Sequence, residues 1–502
     1  MSWRLAVPSR RVAAALTMLF WASGLHAAEQ KPLWLAVARP ELAEPLKPLA
    51  EKRRSDGFEA RVVTHTIEEA LAQSTRRPDF LLLIGDDEPG KEGAPWYLPA
   101  KRKTLYRWRD VQPQEFASDA AWGDPDGKGV PAIPVGRIPA RTREQVEVVV
   151  RKILAFEAQP PTPADLNAAM WLGSPGYNAA IDAIATSLGV TMVQANGPPW
   201  LSPWFLSGNP ADPLCGWPTA QAANFTRQMR QGGLLNVLMG HASPDAFTSM
   251  KLAGKRFTYT AADAARWLGD GSPVAPMIFF SCWSGNFARP APCQAEALLF
   301  LPGGPVAAIG ATTESHPLTN YFTSVCLLKA LAGKEKRLGA LWLRVQREAR
   351  VARDLVMEMM LRDVEGKLEK DINVEKLRRD QTLMYAVLGD PATLLRLPEP
   401  LEASVERTAT GWRWRVKRPP GANRLEVGYR KPPVFTVPTA GPPANEKEAN
   451  EALGAANAAY AFAVQPSPPD DAPWQGTWER PGWLRLVATG PGSLHVAVLK
   501  LN

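Results

Sequence analysis

Three stretches of this 502-residue chain are apolar without alternation and stop at small, polar turns: Leu234–Ser243 (LLNVLMGHAS), Pro276–Phe287 (PMIFFSCWSGNF) and Gly304–Thr312 (GPVAAIGAT). A strand that is apolar at every position must be covered on both faces, as in a parallel sheet layered between helices. The intervening segments Gln221–Gly232, Ala261–Leu268 and Gln294–Phe300 read as those helices. The three strands are therefore expected to run parallel and to open their turns on one edge, where open α/β sheets build their sites. The first turn presents His241 and the second Cys282.

The same alternation begins earlier. Pro32–Val37, Glu59–Thr64 and Phe80–Gly85 read as strands, and Pro40–Lys52 and Thr142–Glu157 as helices, the latter with a stripe of Val146, Val149, Val150, Ile153 and Leu154. Ala158–Ala164 (AQPPTPA) is a proline-rich hinge. Beyond it Ala168–Leu172 is expected as a strand, Gly173–Tyr177 as a turn, Asn178–Leu188 as a helix and Thr191–Gln194 as another strand. Two irregular segments interrupt the pattern. Residues 88–134 are rich in Pro, Gly, Trp and charge, and Pro198–Trp217 carries three tryptophans and reads either as a lid or substrate platform or as a packed structural insertion. Residues 334–379 read as a charged, solvated helix pair. After Leu388-Gly389-Asp390-Pro391 the period changes to two, with Trp412, Trp414 and Val416 alternating with Arg413, Arg415 and Lys417. The expected architecture is a parallel-sheet core in two α/β subdomains (residues 28–160 and 161–396), followed by an all-β immunoglobulin-like sandwich from 397 to 502 with a Pro/Ala/Asn-rich insertion near 438–458.

Met1–Ala27 has a cationic start (Arg4, Arg10, Arg11), the apolar stretch Val12–Trp21 and a small-residue exit, the form of a secretory signal peptide cleaved near Ala27 or Ala28. The apolar part is short for an uncleaved membrane anchor. The mature chain is thus expected to be exported to the periplasm, cell surface or exterior, with no integral membrane span after cleavage. Removing three arginines takes the formal charge from +8 to 8 − 3 = +5, and no dense Lys/Arg block remains, so the sequence points away from nucleic-acid partners. No GxxxxGK[ST] loop is present. Cys215, Cys282, Cys293 and Cys326 contain no CxxC pair, and His65, His241, His316 and His495 lie far apart, which argues against zinc. One disulfide among Cys215, Cys293 and Cys326 is open to an exported chain. No cofactor is required. Asp124 and Asp126 offer oxygen ligands to a structural calcium ion, against the plainer reading of an Asp/Gly turn.

A thiolate attacks a carbonyl far better than a thiol, so a cysteine at such an edge needs a base beside it. His241 is placed to take the proton and return it to a leaving amine. The backbone N–H groups of Ala242 and Cys282 are the candidate donors to the oxyanion. His316, just past the third strand, is the second choice of base. Cys282-Trp283 also has the Cys-Trp pair of papain-type enzymes, but there the cysteine opens a helix and its histidine follows, whereas here the cysteine ends a strand and the histidine precedes it.

Gly240-His241-Ala242-Ser243, Phe280-Ser281-Cys282-Trp283-Ser284-Gly285-Asn286-Phe287, Pro292-Cys293-Gln294-Ala295-Glu296-Ala297-Leu298 and Gly304–Thr312 together resemble the catalytic core of the gingipain-type cysteine peptidases, in the caspase-like clan. Leu81–Asp86, Ser118-Asp119, Val135–Arg141 and Leu388–Pro391 extend the resemblance over roughly residues 80–395. It implies a caspase-like fold, His241 as general base and acid, Cys282 as nucleophile, and hydrolysis of peptide bonds in protein or peptide substrates. Family members usually carry glycine after the histidine, where this chain has Ala242. The family's acidic partner of the histidine aligns with no single residue; Asp182, Asp245 and Glu314 are the candidates. The other expectation is a catalytically weak or inactive homologue acting as an exported or cell-surface binding protein. The β-domain's partner is not indicated.

Overall fold

The computed structural model describes residues 30–107, 114–173, 179–269, 271–359, 372–432 and 443–502, with the backbone alone for 179–185. The expected signal peptide, the turn after Gly173 and the side chain of Asp182 lie outside the described residues.

Ten strands form the central sheet: β1 (Leu33–Ala38), β2 (Glu59–Val63), β3 (Phe80–Ile84), β4 (Val135–Ile138), β5 (Asn167–Leu172), β6 (Ser202–Ser207), β7 (Leu235–Met239), β8 (Met277–Phe280), β9 (Ala308–Ala311) and β10 (Tyr385–Leu388). Their order is β2-β1-β3-β4-β10-β9-β8-β7-β5-β6. Strands β5 to β9 are parallel to one another, as the apolar runs require, and β7, β8 and β9 open their turns on one edge. β10 runs antiparallel to β9 yet parallel to β4, which it meets at Leu388↔Arg137, so the sheet consists of two parallel halves of opposite sense. Every residue of β1, β3, β8, β9 and β10 is buried.

Three local expectations are corrected. Thr191–Gln194 is not a strand but the end of a continuous helix, Ala179–Asn196. Gly189 lets that helix press on β5, since a Cβ there would stand 3.0 Å from Leu172 Cδ1; packing overrides the β-branched composition. The missing strand is β6, inside the Trp-rich insertion. Pro203 is tolerated there because β6 is the sheet's edge. The helix Leu338–Val351 is not a solvated surface element either, for Leu338, Leu341, Trp342, Val345 and Ala349 are buried against the sheet.

The strands after residue 396 form a five-stranded and a three-stranded sheet around Trp412, Trp414, Leu425, Val427, Leu484 and Leu486. The insertion between them holds a helix, Glu446–Ala458. Its Asn457 accepts the Phe205 N–H at 2.6 Å and donates to the Phe205 carbonyl at 2.9 Å. One side-chain amide thus occupies the edge of β6 as a neighbouring strand would, which closes an otherwise open sheet edge.

Candidate active site

β7 and β8 pair with Met239 opposite Phe280, so His241 and Cys282 each lie two residues beyond a matched pair on adjacent parallel strands. Such strands are about 4.8 Å apart, and Gly240 N donates to the Phe280 carbonyl at 3.2 Å, carrying the match one step further. The expected convergence of the two turns is therefore present in the register. Gly240 makes the exit possible. Its φ of 155° and the Gly173 Cα, which a Cβ would meet at 3.2 Å, leave no room for another residue. The chain then pairs His241 with Thr248 and Ala242 with Phe247, at the root of a hairpin.

Ala242 is compatible with this backbone, because among the described non-glycine residues only Ala253 and Trp283 have positive φ. Ser243 N donates to the Ala246 carbonyl at 2.9 Å. Antiparallel pairs alternate, so Ala242↔Phe247 is a non-hydrogen-bonded pair and the Ala242 N–H points away from the hairpin. The Cys282 N–H has no backbone acceptor among the described residues, whereas Trp283 N is bound by the Thr313 carbonyl at 3.0 Å and Gly285 N by the Ala311 carbonyl at 2.9 Å. The turn after Cys282 is thereby held on the β9 end. A Cβ at Gly285 would stand 2.4 Å from the Gly310 carbonyl oxygen, so this contact is between bare backbones.

His241 is exposed and Cys282 half-buried. The Cys282 thiol donates to the Ser315 carbonyl at 3.5 Å and lies 3.8 Å from Ser315 Oγ. Burial pushes the thiol above its ordinary pKa; the Ser315 contacts pull it back, while Glu314 adds to the rise and Arg107 opposes it. Behind Ser315 is a neutral network: Asn320 donates to Ser315 Oγ at 2.9 Å, and Asn320 Oδ1 accepts from Tyr385 Oη at 2.7 Å and from Gln381 Nε2 at 2.9 Å. None of these residues was singled out from sequence as part of this shell. Arg107 and Glu314 form an ion pair at 3.1 Å beside the thiol.

The segment following the cysteine ties the two turns together. Gln294 N donates to the Pro244 carbonyl at 2.7 Å and Ala295 N to the Ser284 carbonyl at 3.0 Å. Arg289 bridges to Asp245 at 2.6 Å, and Arg141 donates to the carbonyls of Arg289 and Pro290 at 2.9 and 3.1 Å. Asp245 and Glu314, two candidate partners of the histidine, are thus each bound to an arginine. His316 is buried and its Nδ1 accepts the Leu318 N–H, capping the helix Pro317–Ala330. Asp124 accepts from the N–H groups of Lys128 and Gly129, as a turn aspartate does, and Asp126 stands exposed beside Lys128. No group of three or more His, Cys, Asp or Glu side chains gathers to hold a metal ion among the described residues. Cys215, Cys293 and Cys326 are buried and unpaired.

The family model "Peptidase family C25" matches residues 27–396. The chain belongs to this family of cysteine peptidases. Three solved structures share the C25 fold with it. One described as "Structure of Protease" has a TM-score of 0.54 at 14% identity, covering 93% of this chain and 97% of its own. The Arg-specific cysteine proteinase gingipain R has a TM-score of 0.52 at 13% identity, covering 95% and 99%. The complex of the pro- and mature domains of RgpB from Porphyromonas gingivalis has a TM-score of 0.52 at 13% identity, covering 93% and 99%. At these identities the likeness is one of fold. No curated protein matches the chain in sequence. Among the described residues of this C25 chain, no helix is long and apolar enough to cross a membrane.

Proposed function

We propose that the protein is an exported cysteine endopeptidase in which His241 is the general base and acid and Cys282 the nucleophile. The observation that carries this reading is the β7/β8 register, which levels the two residues at one sheet edge within a C25 fold. The thiol is raised above its ordinary pKa, so at neutral pH it rests protonated, and His241 takes its proton as sulfur attacks the scissile carbonyl. The oxyanion forms against the N–H groups of Ala242 and Cys282. Collapse expels the amine, protonated by His241, and leaves a thioester on Cys282. Water, deprotonated by His241, then releases the acid. Nucleophile, base and donors all come from the chain, and the reaction as written uses no cofactor.

The raised thiol and the arginine-bound acids also fit a second reading, a catalytically weak homologue that binds without cleaving. One experiment separates the two. The mature protein is incubated in reducing buffer, with and without calcium, with a mixed peptide library and with a thiol-directed peptidyl electrophile. Cleavage and labelling at Cys282, with cleavage lost in both Cys282→Ala and His241→Ala, is the expected result. A wild type that neither cleaves nor labels sinks the peptidase reading. Activity that survives in His241→Ala but is lost in His316→Ala moves the base to His316.

A further inference from the structure

The hairpin rooted at His241 continues as Phe247–Leu252 and Lys255–Tyr259, and its outer end, Lys251 through Arg256, is exposed at every residue. Ala253 and Gly254, at φ of 47° and 79°, make the two-residue turn. The register sets Lys251 directly opposite Arg256, and Leu252 opposite Lys255. Like charges directly opposite in an antiparallel pair destabilise it. Neither member of that pair has a carboxylate partner among the described residues, and the Lys255 ammonium lies over the Phe257 ring, 5.2 Å from its centroid. Elsewhere on this chain exposed cations are commonly paired, as in Lys336 with Glu399 and Lys417 with Glu402. Two cations, Lys251 and Arg256, therefore share one face of a bare hairpin end whose other end holds the candidate base, while Lys255 lies on the opposite face. A bulge between Thr248 and Met250 leaves the Lys251↔Arg256 pair two regular strand residues beyond Thr248↔Thr258, the pair next to His241, which at about 3.3 Å per residue is roughly 7 Å away, and the long side chains carry their charges further, to the span of three to four extended substrate residues.

We propose that this hairpin end is a substrate exosite, at which Lys251 and Arg256 receive acidic side chains three to four residues from the bond to be cut in an extended protein substrate. An incoming carboxylate between Lys251 and Arg256 replaces their mutual repulsion with attraction. The inference rests on the peptidase reading for the position of the scissile bond.

The test uses a cleavable core taken from a library digest, flanked on either side at the third and fourth positions by Glu or by Gln. Acidic peptides are expected to show a roughly tenfold higher kcat/KM at low salt, the size given by a few exposed ion pairs. The advantage is expected to vanish near 1 M salt, where the screening length falls to about 3 Å, and in the Lys251→Glu/Arg256→Glu variant, whose turnover of the Gln peptide stays that of the wild type. Equal turnover of both peptides by the wild type, or a preference that survives the double reversal, overturns the proposal. If the wild type cleaves nothing, the peptidase reading has failed separately. Binding of a fluorescent Glu-rich peptide to Cys282→Ala then decides: binding abolished by the double reversal supports an acidic-peptide site, and absent binding overturns it. Binding to phosphatidylglycerol vesicles without binding to the peptide also overturns it, assigning the patch to a lipid surface.

Discussion

The two halves of the central sheet follow one pattern of apolar parallel strands and differ in how their buried polar groups are held. In the half formed by β1 to β4 with β10, charges are locked in pairs. Arg53 binds Glu157 at 2.8 Å and Asp390 at 2.8 Å, Arg137 grips Asp119 through two nitrogens at 2.7 Å each, and Arg141 holds Asp86 at 2.6 Å. At the thiol, beyond the end of β8 in the other half, the nearest groups are neutral, namely Ser315, Asn320 and Gln381, with Tyr385 reaching across from the start of β10. The distinction has a chemical reason. A fixed charge against a nucleophile would hold it in one protonation state, whereas hydroxyls and amides position it and leave its charge free to change. The nearest charges, Arg107 and Glu314, largely cancel.

Removing one member of a locked pair is the strongest way to break that contrast. Arg137→Met leaves Asp119, 2% exposed, without its guanidinium, and also frees the carbonyls of Gly85 and Leu98. The expected loss is about 3–5 kcal/mol, read from the denaturant midpoint. Arg137→Met/Asp119→Leu is expected to recover a large part of it, because no uncompensated charge remains. If the single variant unfolds as the wild type does, the first half is not held by its charges.

A smaller effect is expected from the backbone contact under the candidate nucleophile. Gly285→Ala places a methyl 2.4 Å from the Gly310 oxygen and forces the Cys282 turn off β9. Overpacking of this kind costs about 1–3 kcal/mol. Labelling of Cys282 by a peptidyl electrophile is expected to slow by a larger factor than the stability loss accounts for. Labelling at the wild-type rate would show that the turn's seat on β9 does not set the thiol's position.

Lys152 is the exception that sharpens the comparison. It belongs to the helix Arg143–Ala158 on the side of the paired charges, but its ammonium donates to the carbonyls of Leu299 and Pro305 and has no carboxylate partner among the described residues, and burial lowers its pKa to about 7. Between that value and the ordinary lysine range, near 10.4, the unfolded chain binds a proton that the folded chain does not. Stability therefore rises with pH from about 7 to 10, by up to about 1.4 kcal/mol per pH unit, while below 7 both states are protonated and this contribution is flat. The difference in unfolding free energy between wild type and Lys152→Met, followed from pH 6 to 10, is expected to show that slope. A difference independent of pH would mean that the lysine stays charged in the folded protein.

The strands of the sheet and the adjacent turns that carry His241 and Cys282 were legible because each is a property of a short stretch: full burial writes an unbroken apolar run, and a strand end writes a small polar turn. β6 was not, since an edge strand that opens on Ser202 and Pro203 and ends on Ser207 lacks that run. The helix through Thr191–Gln194 was misread because packing on Leu172, not local propensity, determines it. The shell behind the thiol leaves no local mark at all: Asn320 meets Gln381 and Tyr385 across separations of 61 and 65 residues. The two turns could be found from sequence, whereas what holds them required the fold.

The smallest expected effect sits beside the candidate nucleophile. Trp283 has φ of 61°, in the left-handed region that costs a non-glycine residue about 1–2 kcal/mol. Strain of this kind persists only where the surroundings enforce it. Here the Thr313 carbonyl accepts its N–H at 3.0 Å and its own carbonyl accepts the Asn286 N–H at 3.1 Å. Trp283→Gly relieves the strain but adds about 0.5–1 kcal/mol of chain entropy to be lost on folding, so the net gain in stability is expected to be no more than about 1 kcal/mol. Turnover should fall nevertheless. The strained residue directly follows Cys282 and fixes the course of its turn, and a glycine there loosens it. A variant that is more stable and equally active would show that the strain is incidental, and that the hydrogen bonds seating the turn on β9 are enough to position the thiol.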